Sequence, residues 1–171
     1  MPTGLERRNL TSGVHFITVS CFRRQPLLGT KPLRDRFQTI LFETQSRYGF
    51  ELKAWVIMPE HVHLLLRPEP ASTATILQVL KQRYARQLKQ SAPTLYLQIE
   101  IKTAHPPPMP VWEPRYHDRN LTTPEATQNV IDYIHHNPVK RGLTTHARDW
   151  PWSSYHQHQQ PQTFNTSNNL A

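Results

Sequence analysis

The sequence contains a single cysteine, Cys21, among its 171 residues. An internal disulfide framework is therefore excluded, and so is a zinc site built from several thiolates. No run of residues approaches the roughly 20 consecutive apolar positions that span a bilayer. The N-terminal segment MPTGLERRNL also lacks the apolar core of a secretory signal. These absences predict a soluble, cytoplasmic protein with no membrane partner.

Acidic residues are also scarce, since twelve Asp and Glu stand against twenty Lys and Arg, for a net charge of +8 and an isoelectric point near 10.0. A basic surface attracts phosphate backbones, although proteins that never touch nucleic acid can share this balance. The length suits one domain with one core. We expect that domain at residues 1–156, followed by a disordered polar tail at 157–171, where apolar side chains are almost absent.

Hydrophobic periodicity predicts an α+β domain. Strands are predicted at 13–22, 50–58 and 61–67, and helices at 31–48, 73–90 and 124–137. The last helix should end at Asn137, because a residue before proline is biased out of the helical region. The proline-rich stretch 91–110 is predicted to be a loop, with strand-like composition only at 95–101, and no regular structure is predicted for 111–119. This order favours helices packed on one face of an antiparallel sheet.

Two histidines, His61 and His63, are two positions apart on the third predicted strand. Side chains at this spacing leave the same face of a strand, about 6.5–7 Å apart along the backbone. Two such imidazoles can ligate one divalent ion at a strand end, where a third ligand and a substrate can reach it. The alternative is a pair of surface histidines on a solvated strand, which is common in a chain with ten histidines.

A tyrosine and an asparagine, Tyr133 and Asn137, are four positions apart on the last predicted helix and share one of its faces. A tyrosine can act as a nucleophile toward phosphorus once its phenol loses a proton. An asparagine carbonyl is a hard oxygen ligand that suits Mg²⁺ or Mn²⁺. The alternatives are that Tyr133 extends the buried edge of the helix and that Asn137-Pro138 is an ordinary helix end.

Several blocks of sequence occur together in a specific order. They are GVHFITVSCFRR at 13–24, PEHVHLLL at 59–66, VWEPRYHDR at 111–119, VIDYIHHNPVKRGL at 130–143 and DWPWSSY at 149–155. Their combination, over residues 7–156, resembles the REP-associated tyrosine transposases, which belong to the HUH superfamily of single-strand nucleases.

This resemblance implies a ferredoxin-like fold with the histidine pair on a central strand. It implies that His61 and His63 bind the metal, that Asn137 completes the metal shell, and that Tyr133 is the nucleophile. The implied activity is a Mg²⁺- or Mn²⁺-dependent cleavage and transfer of single-stranded DNA near a hairpin, through a 5′-phosphotyrosine link. The implied partner is single-stranded or hairpin DNA, and the chain could act as a monomer or a homodimer.

Basic and aromatic side chains are the candidates for DNA binding. Basic side chains can bind phosphates, and aromatic rings can stack on unpaired nucleobases. The candidates are Arg7, Arg8, Arg23, Arg24, Lys81, Arg83, Arg86, Arg115, Arg119, Trp112 and Tyr116. Each charge, taken alone, fits a solvated face better than a specific contact. The DWPWSSY block is interpreted as an aromatic anchor in which Trp150 and Trp152 are partly buried.

Other functions remain open at this point. A hairpin-binding protein that retains the fold would bind DNA without cleaving it. A metal-dependent hydrolase of another substrate would use the histidines but not Tyr133. A replication initiator or plasmid relaxase of the same superfamily is a further alternative, which the short chain and the YIHHNPVK block disfavour.

Overall fold

Four strands form an antiparallel sheet with the spatial order β2-β3-β1-β4. The computed structural model describes residues 13–103 and 110–159 of the chain. Its strands are β1 (Val14–Ser20), β2 (Glu51–Ile57), β3 (His61–Arg67) and β4 (His117–Leu121). The turn at Pro59-Glu60 joins β2 to β3 as an antiparallel hairpin. The predicted α+β fold, with the histidine pair on a central strand, is confirmed.

The helices follow the strands closely in sequence. They are α1 (Lys31–Tyr48), α2 (Thr73–Ser91), α3 (Pro93–Thr103), α4 (Pro124–Lys140) and α5 (Tyr155–Gln159). The predicted boundaries of α1 and β3 agree with the structure, because amphipathic periodicity and a tight turn define both elements. Within the described part of the chain, no helix combines the length and the apolar surface that crossing a bilayer requires.

Helices cover both faces of the sheet. Trp55 of β2 meets Phe42 of α1, with ring centres 5.5 Å apart, whereas the adjacent Val56 pairs with His63, whose ring meets Tyr133 of α4. Since neighbouring strand residues point to opposite faces, α1 and α4 lie on opposite sides of the sheet. The prediction of helices on one face therefore fits α1, against which α2 packs, but is wrong for α4. The cause is that β3 is buried from His61 to Leu66, and a strand buried on both faces needs cover on both.

The helix α4 begins as predicted and ends later than predicted. The Thr123 side chain accepts a hydrogen bond from the Ala126 N–H at 3.1 Å and caps its start. The helix continues through Pro138 to Lys140, so the predicted end at Asn137 is wrong. A proline this near the end removes one backbone bond, and the Arg141 N–H still closes the last turn on the Asn137 carbonyl at 3.0 Å. Lys140 therefore follows Asn137 on a continuous helix.

Two further segments differ from the sequence prediction. The stretch 91–110, predicted as a loop with strand-like composition at 95–101, contains the helix α3, which packs on α2. Pro93 stands at the start of α3, where a missing N–H costs nothing. The polar sequence of β4 pairs with β1 although only Leu121 is buried. Of the predicted disordered tail, residues 157–159 complete α5, and 160–171 lie outside the described residues.

The segment at residues 150–154, here called the C-terminal strap, lies along the outer edge of β2. The Ser154 N–H donates to the Trp55 carbonyl at 3.0 Å, and the Ile57 N–H donates to the Trp152 carbonyl at 2.9 Å. The indole N–H of Trp150 donates to the Ile57 carbonyl at 3.1 Å. Both tryptophans are buried, so the predicted aromatic anchor is confirmed, and it also completes the hydrogen bonds of a sheet edge.

Candidate active site

A cleft of about 180 Å³ opens where α4 crosses β3 and β1. The histidines are placed there by the strand that starts at His61, and the tyrosine and asparagine by successive turns of α4. The cleft is lined by Thr18, Arg24, His61, His63, Tyr133, Asn137, Lys140 and Arg141. The structure thus brings together the four residues of the predicted catalytic centre within one chain.

The two histidines face each other across the floor of the cleft. Their Nε2 atoms are 3.1 Å apart, and both side chains are buried. The Nδ1 atom of His63 lies 2.8 Å from the Thr18 hydroxyl, and that of His61 lies 3.1 Å from the Glu60 carboxylate. A carboxylate can only accept, so the single proton of a neutral His61 belongs on Nδ1. This arrangement turns the unprotonated Nε2 atom of His61 toward the point between the rings, which suits a cation.

The electrostatics of the cleft keep both imidazoles neutral. Burial lowers the pKa of His63 to about 3, and the charges on His61 and Arg24 act in the same direction. Burial also lowers the pKa of His61, although the neighbouring Glu60 carboxylate opposes that shift. An imidazole must be neutral to bind a metal, so the pair is ready for ligation at neutral pH.

The amide of Asn137 completes the polar floor. Its Nδ2 atom is 3.2 Å from the Nε2 atom of His63, and its buried Oδ1 atom has no hydrogen-bond partner among the residues that the structure describes. A buried acceptor without a partner costs about 1–3 kcal/mol, so its position calls for an explanation. Among the described residues there is no group of three or more His, Cys, Asp or Glu that could hold an ion. Two imidazole nitrogens and one amide oxygen are therefore the donor set that this cleft offers.

The Tyr133 side chain stands at the mouth of the cleft and is 41% exposed. Its ring centre lies 5.4 Å from that of His63 and 5.9 Å from that of Phe16, in edge-to-face contacts. The ammonium group of Lys140 is 6.0 Å from the same ring. The phenol is thus positioned by packing on one side and open to solvent on the other, so a bound strand can reach it.

Four polar residues of the cleft escaped the sequence analysis. Glu60 accepts a hydrogen bond from Arg24 at 3.2 Å and forms an ion pair with Arg141 at 2.7 Å, while the Thr18 hydroxyl of β1 contacts His63. Lys140 was overlooked because the helix was expected to end before it. The three- and four-residue spacing from Asn137 to Lys140 and Arg141 is the signal that could have found the two cations.

The predicted DNA-binding arginines separate into different surfaces. Arg24 lines the cleft, and Arg119 lies on the same sheet face, with its guanidinium 5.7 Å from the centre of the Phe16 ring. Arg83 pairs with Glu43 of α1, on the far side of the sheet. Arg86 and Arg115 are exposed, and the backbone N–H of Arg23 donates to the Glu113 carboxylate. Arg7 and Arg8 lie outside the described residues.

Two of the predicted DNA contacts, Trp112 and Lys81, have partners within the protein itself. Trp112 is 5% exposed, and its ring packs between those of Phe37 and Tyr84, so it cannot stack on a base. Its indole N–H donates to the Lys81 carbonyl, and the Lys81 ammonium donates to the Glu113 carbonyl at 2.7 Å. These contacts give Trp112 and Lys81 a packing role. Tyr116 is half-buried against the core and lines a separate pocket beside α2.

Comparison with known proteins identifies the class. Residues 10–137, most of the chain, match the model of the IS200-like transposases, and the chain belongs to this family. The REP-associated tyrosine transposase of Escherichia coli is 27% identical over 151 residues, which cover 88% of this chain and 81% of that protein. A Haemophilus influenzae protein provisionally given the same name is 30% identical over 153 residues, or 88% of this chain and 84% of the relative.

Solved structures share the fold. A REP-associated tyrosine transposase bound to a REP hairpin superposes with a TM-score of 0.68 at 21% identity, covering 99% of both chains. A candidate transposase from Deinococcus radiodurans gives a TM-score of 0.53 at 21% identity, covering 78% of this chain and 96% of the other. The resemblance inferred from the sequence blocks is therefore confirmed at the level of family and fold.

Proposed function

We propose that this chain is a metal-dependent single-strand DNA nuclease and strand transferase that cuts beside a DNA hairpin and holds the cut end on Tyr133. The observation that carries the proposal is the convergence, in one cleft, of an exposed phenol with two neutral imidazoles and an unpartnered amide oxygen. The family membership supports transposition as the reaction, and the hairpin bound by the structural neighbour supports the substrate.

The floor of the cleft fits Mg²⁺ or Mn²⁺. His61 and His63 would supply the nitrogen ligands, and Asn137 would supply the oxygen ligand that these hard ions favour. A divalent ion bound there supplies positive charge that orients and polarises the scissile phosphate. The unpartnered Oδ1 atom of Asn137 supports this assignment, because a ligand role would explain why it is buried without a hydrogen bond.

An Asn137→Leu substitution is expected to separate metal binding from stability. The unfolding free energy of the metal-free protein should stay within about 1 kcal/mol of the parent, because one hydrogen bond is lost while the cost of the orphaned oxygen disappears. Affinity for Mn²⁺ should fall about tenfold or more, since replacing even a group that is hydrogen-bonded to a metal ligand commonly lowers metal affinity by that factor. Chemical denaturation without metal and calorimetric titration with Mn²⁺ measure the two quantities. Parent-like Mn²⁺ affinity would contradict the ligand assignment.

The chain's own residues account for the remaining chemistry. The phenol of Tyr133, which is open to solvent, gives its proton to water, and its oxygen attacks the phosphorus, forming the tyrosine–phosphate bond as the bond to the 3′ oxygen breaks. The departing oxygen takes up a proton and becomes a free 3′-hydroxyl. Arg24 and Lys140 line the cleft, where they can bind the phosphate oxygens and offset the charge that develops on them. Because the ester retains the bond energy, attack by a 3′-hydroxyl reverses the step and joins strands.

A groove of about 250 Å³ extends the cleft toward β4 and would carry the flanking DNA. It shares Thr18 with the cleft and is otherwise lined by Phe16, His117, Asp118 and Arg119. Phe16 offers an aromatic surface on which an unpaired base can stack, and Arg119 offers a cation for its phosphate.

Arg119→Gln is expected to weaken binding of a single-stranded oligonucleotide several-fold and to reduce the salt dependence of the affinity by about one counterion, because one phosphate contact is lost. Fluorescence anisotropy at several salt concentrations measures both changes. Arg83→Gln is the matched control, since Arg83 pairs with Glu43 on the far side of the sheet, and its affinity should equal the parent's. Equal losses in the two variants would contradict the proposed path of the DNA.

The decisive test of the proposed function is a covalent protein–DNA adduct. The full chain is incubated with a labelled hairpin oligonucleotide that carries a single-stranded flank and with Mn²⁺, and the products are run on a denaturing gel. A band that survives denaturation, is absent with EDTA, and maps by mass spectrometry to the peptide containing Tyr133 is the expected result. Binding without an adduct would identify a non-cleaving hairpin-binding protein, and free cleaved product without an adduct would indicate a hydrolytic mechanism.

A further inference from the structure

Glu60 is a largely buried carboxylate that contacts three separate parts of the cleft. Its side chain is 10% exposed, and Oε1 lies 3.1 Å from Nδ1 of His61. The same oxygen is 3.2 Å from a guanidinium nitrogen of Arg24 and 2.7 Å from one of Arg141. Two guanidinium groups offset the cost of burying the carboxylate, so this charge is held in a defined position.

From this geometry we infer that Glu60 is a positioning residue with two roles, which rest on the proposed function. It holds the proton of His61 on Nδ1, so that Nε2 is presented to the metal. Through Arg141 it also fixes the end of α4, the helix that carries Tyr133 and Asn137, against the start of β3.

The first role follows from the chemistry of imidazole. A neutral ring carries one N–H, and the nitrogen that carries it is set by the group that accepts it. A carboxylate hydrogen-bonded to a ligating histidine favours the Nδ1–H form and makes Nε2 a more basic metal ligand. His63 receives comparable support from the Thr18 hydroxyl at 2.8 Å, so each histidine has its own group behind it.

The second role follows from where Arg141 lies. It is the residue directly after α4, and its backbone N–H closes the last turn. That turn contains Pro138, which has no N–H to donate back into the helix. The end of α4 therefore lacks one backbone hydrogen bond. The short, charge-assisted contact from Arg141 to Glu60 stabilises this end of the helix. The two halves of the active site, strand and helix, are joined at this carboxylate.

Glu60→Gln and Arg141→Gln separate the two roles, with Mn²⁺ alone as the probe. In the full chain, Glu60→Gln is expected to weaken Mn²⁺ binding by about 10- to 100-fold. In the metal-free protein, ¹⁵N spectra of the imidazoles should show the His61 proton on Nδ1 in the parent and shared with Nε2 in this variant. Arg141→Gln should leave Mn²⁺ affinity within about threefold of the parent while it slows adduct formation about tenfold or more, because a small misplacement of a nucleophile is costly.

Glu51→Gln is the matched control, since the Glu51 side chain is 52% exposed and pairs with Lys53 and Arg67, neither of which lines the cleft, and it should behave as the parent. The first role would be overturned if Glu60→Gln bound Mn²⁺ as tightly as the parent does. It would also be overturned if the spectrum of the parent protein showed the His61 proton on Nε2, a measurement that does not depend on the folding of a variant. An unchanged adduct rate in Arg141→Gln would overturn the second role. If the parent forms no adduct but Glu60→Gln still loses Mn²⁺, the nuclease proposal fails and the histidine-positioning role stands.

Discussion

Tyr133→Phe is expected to abolish covalent attachment of DNA, lowering the rate of adduct formation by roughly 10³-fold or more, as removal of a nucleophile does in other enzymes. The substitution deletes only the hydroxyl. The ring keeps its edge-to-face contacts with Phe16 and His63, so folding, Mn²⁺ binding and DNA affinity should all match the parent. Initial rates on denaturing gels measure the loss, and anisotropy measures the retained affinity.

A matched control for this substitution is Tyr48→Phe. Tyr48 is the last residue of α1, on the opposite side of the sheet from the cleft, and losing its hydroxyl should leave the adduct rate unchanged. Adduct formation at the parental rate in Tyr133→Phe would mean that another group attacks the phosphate. Loss of DNA affinity in that variant would instead assign Tyr133 to binding.

His63→Ala is expected to lose both metal and chemistry. Removing one of two imidazole ligands should weaken Mn²⁺ binding by about 100-fold or more, since changes behind a ligand already cost 10- to 100-fold. Adduct formation should then fall below detection, while DNA affinity, which depends on the cations of the cleft, is retained. His136→Ala is the control, because His136 is exposed on α4, contacts the carbonyl of Asp132 on the same helix, and does not line the cleft. Normal adduct formation in His63→Ala would remove the metal from the mechanism.

The low pKa of His63 gives the metal site a recognisable pH dependence. With a pKa of about 3 for His63 and a lowered pKa for His61, protons do not compete with a metal near neutrality. As pH falls from 8 to 6, Mn²⁺ affinity should therefore change less than it would with two ordinary imidazoles, whose pKa values of about 6.5 imply a loss of about 16-fold. Affinity should decline only in more acidic solution, as the rings become protonated. Calorimetric titrations at several pH values test this.

The relative placement of His61, His63, Tyr133 and Asn137, here called the quartet, could be predicted because local geometry sets most of it. Alternation along β3 puts His61 and His63 on one face, and one helical turn puts Asn137 beneath Tyr133. These relations depend only on the type of element, and the structure reproduces them. What the spacing cannot supply is the meeting of strand and helix, which the family resemblance implied.

The surroundings of the quartet were harder to predict because they depend on contacts between distant segments. Glu60 meets Arg141 across 81 positions of sequence, and no periodic pattern encodes such a pair. Trp112 was expected to stack on bases because an aromatic residue among basic ones is typical of a DNA surface, yet the same composition occurs where a core meets a charged rim. The strand β4 pairs through its backbone while most of its side chains face solvent, so hydrophobic periodicity could not reveal it.

The C-terminal strap affects how exposed the chain is to aggregation while it is being synthesised. The strap hydrogen-bonds to β2 from almost 100 positions farther along the sequence, and it lies beyond the residues that the family model matches. Until Trp150 and Ser154 have been made, β2 presents an open ladder of donors and acceptors to any other extended chain. We therefore expect a chain truncated before the strap to aggregate. The residues that line the cleft would still be present, because they all precede the strap. The strap thus covers the sheet edge through which two chains could otherwise pair.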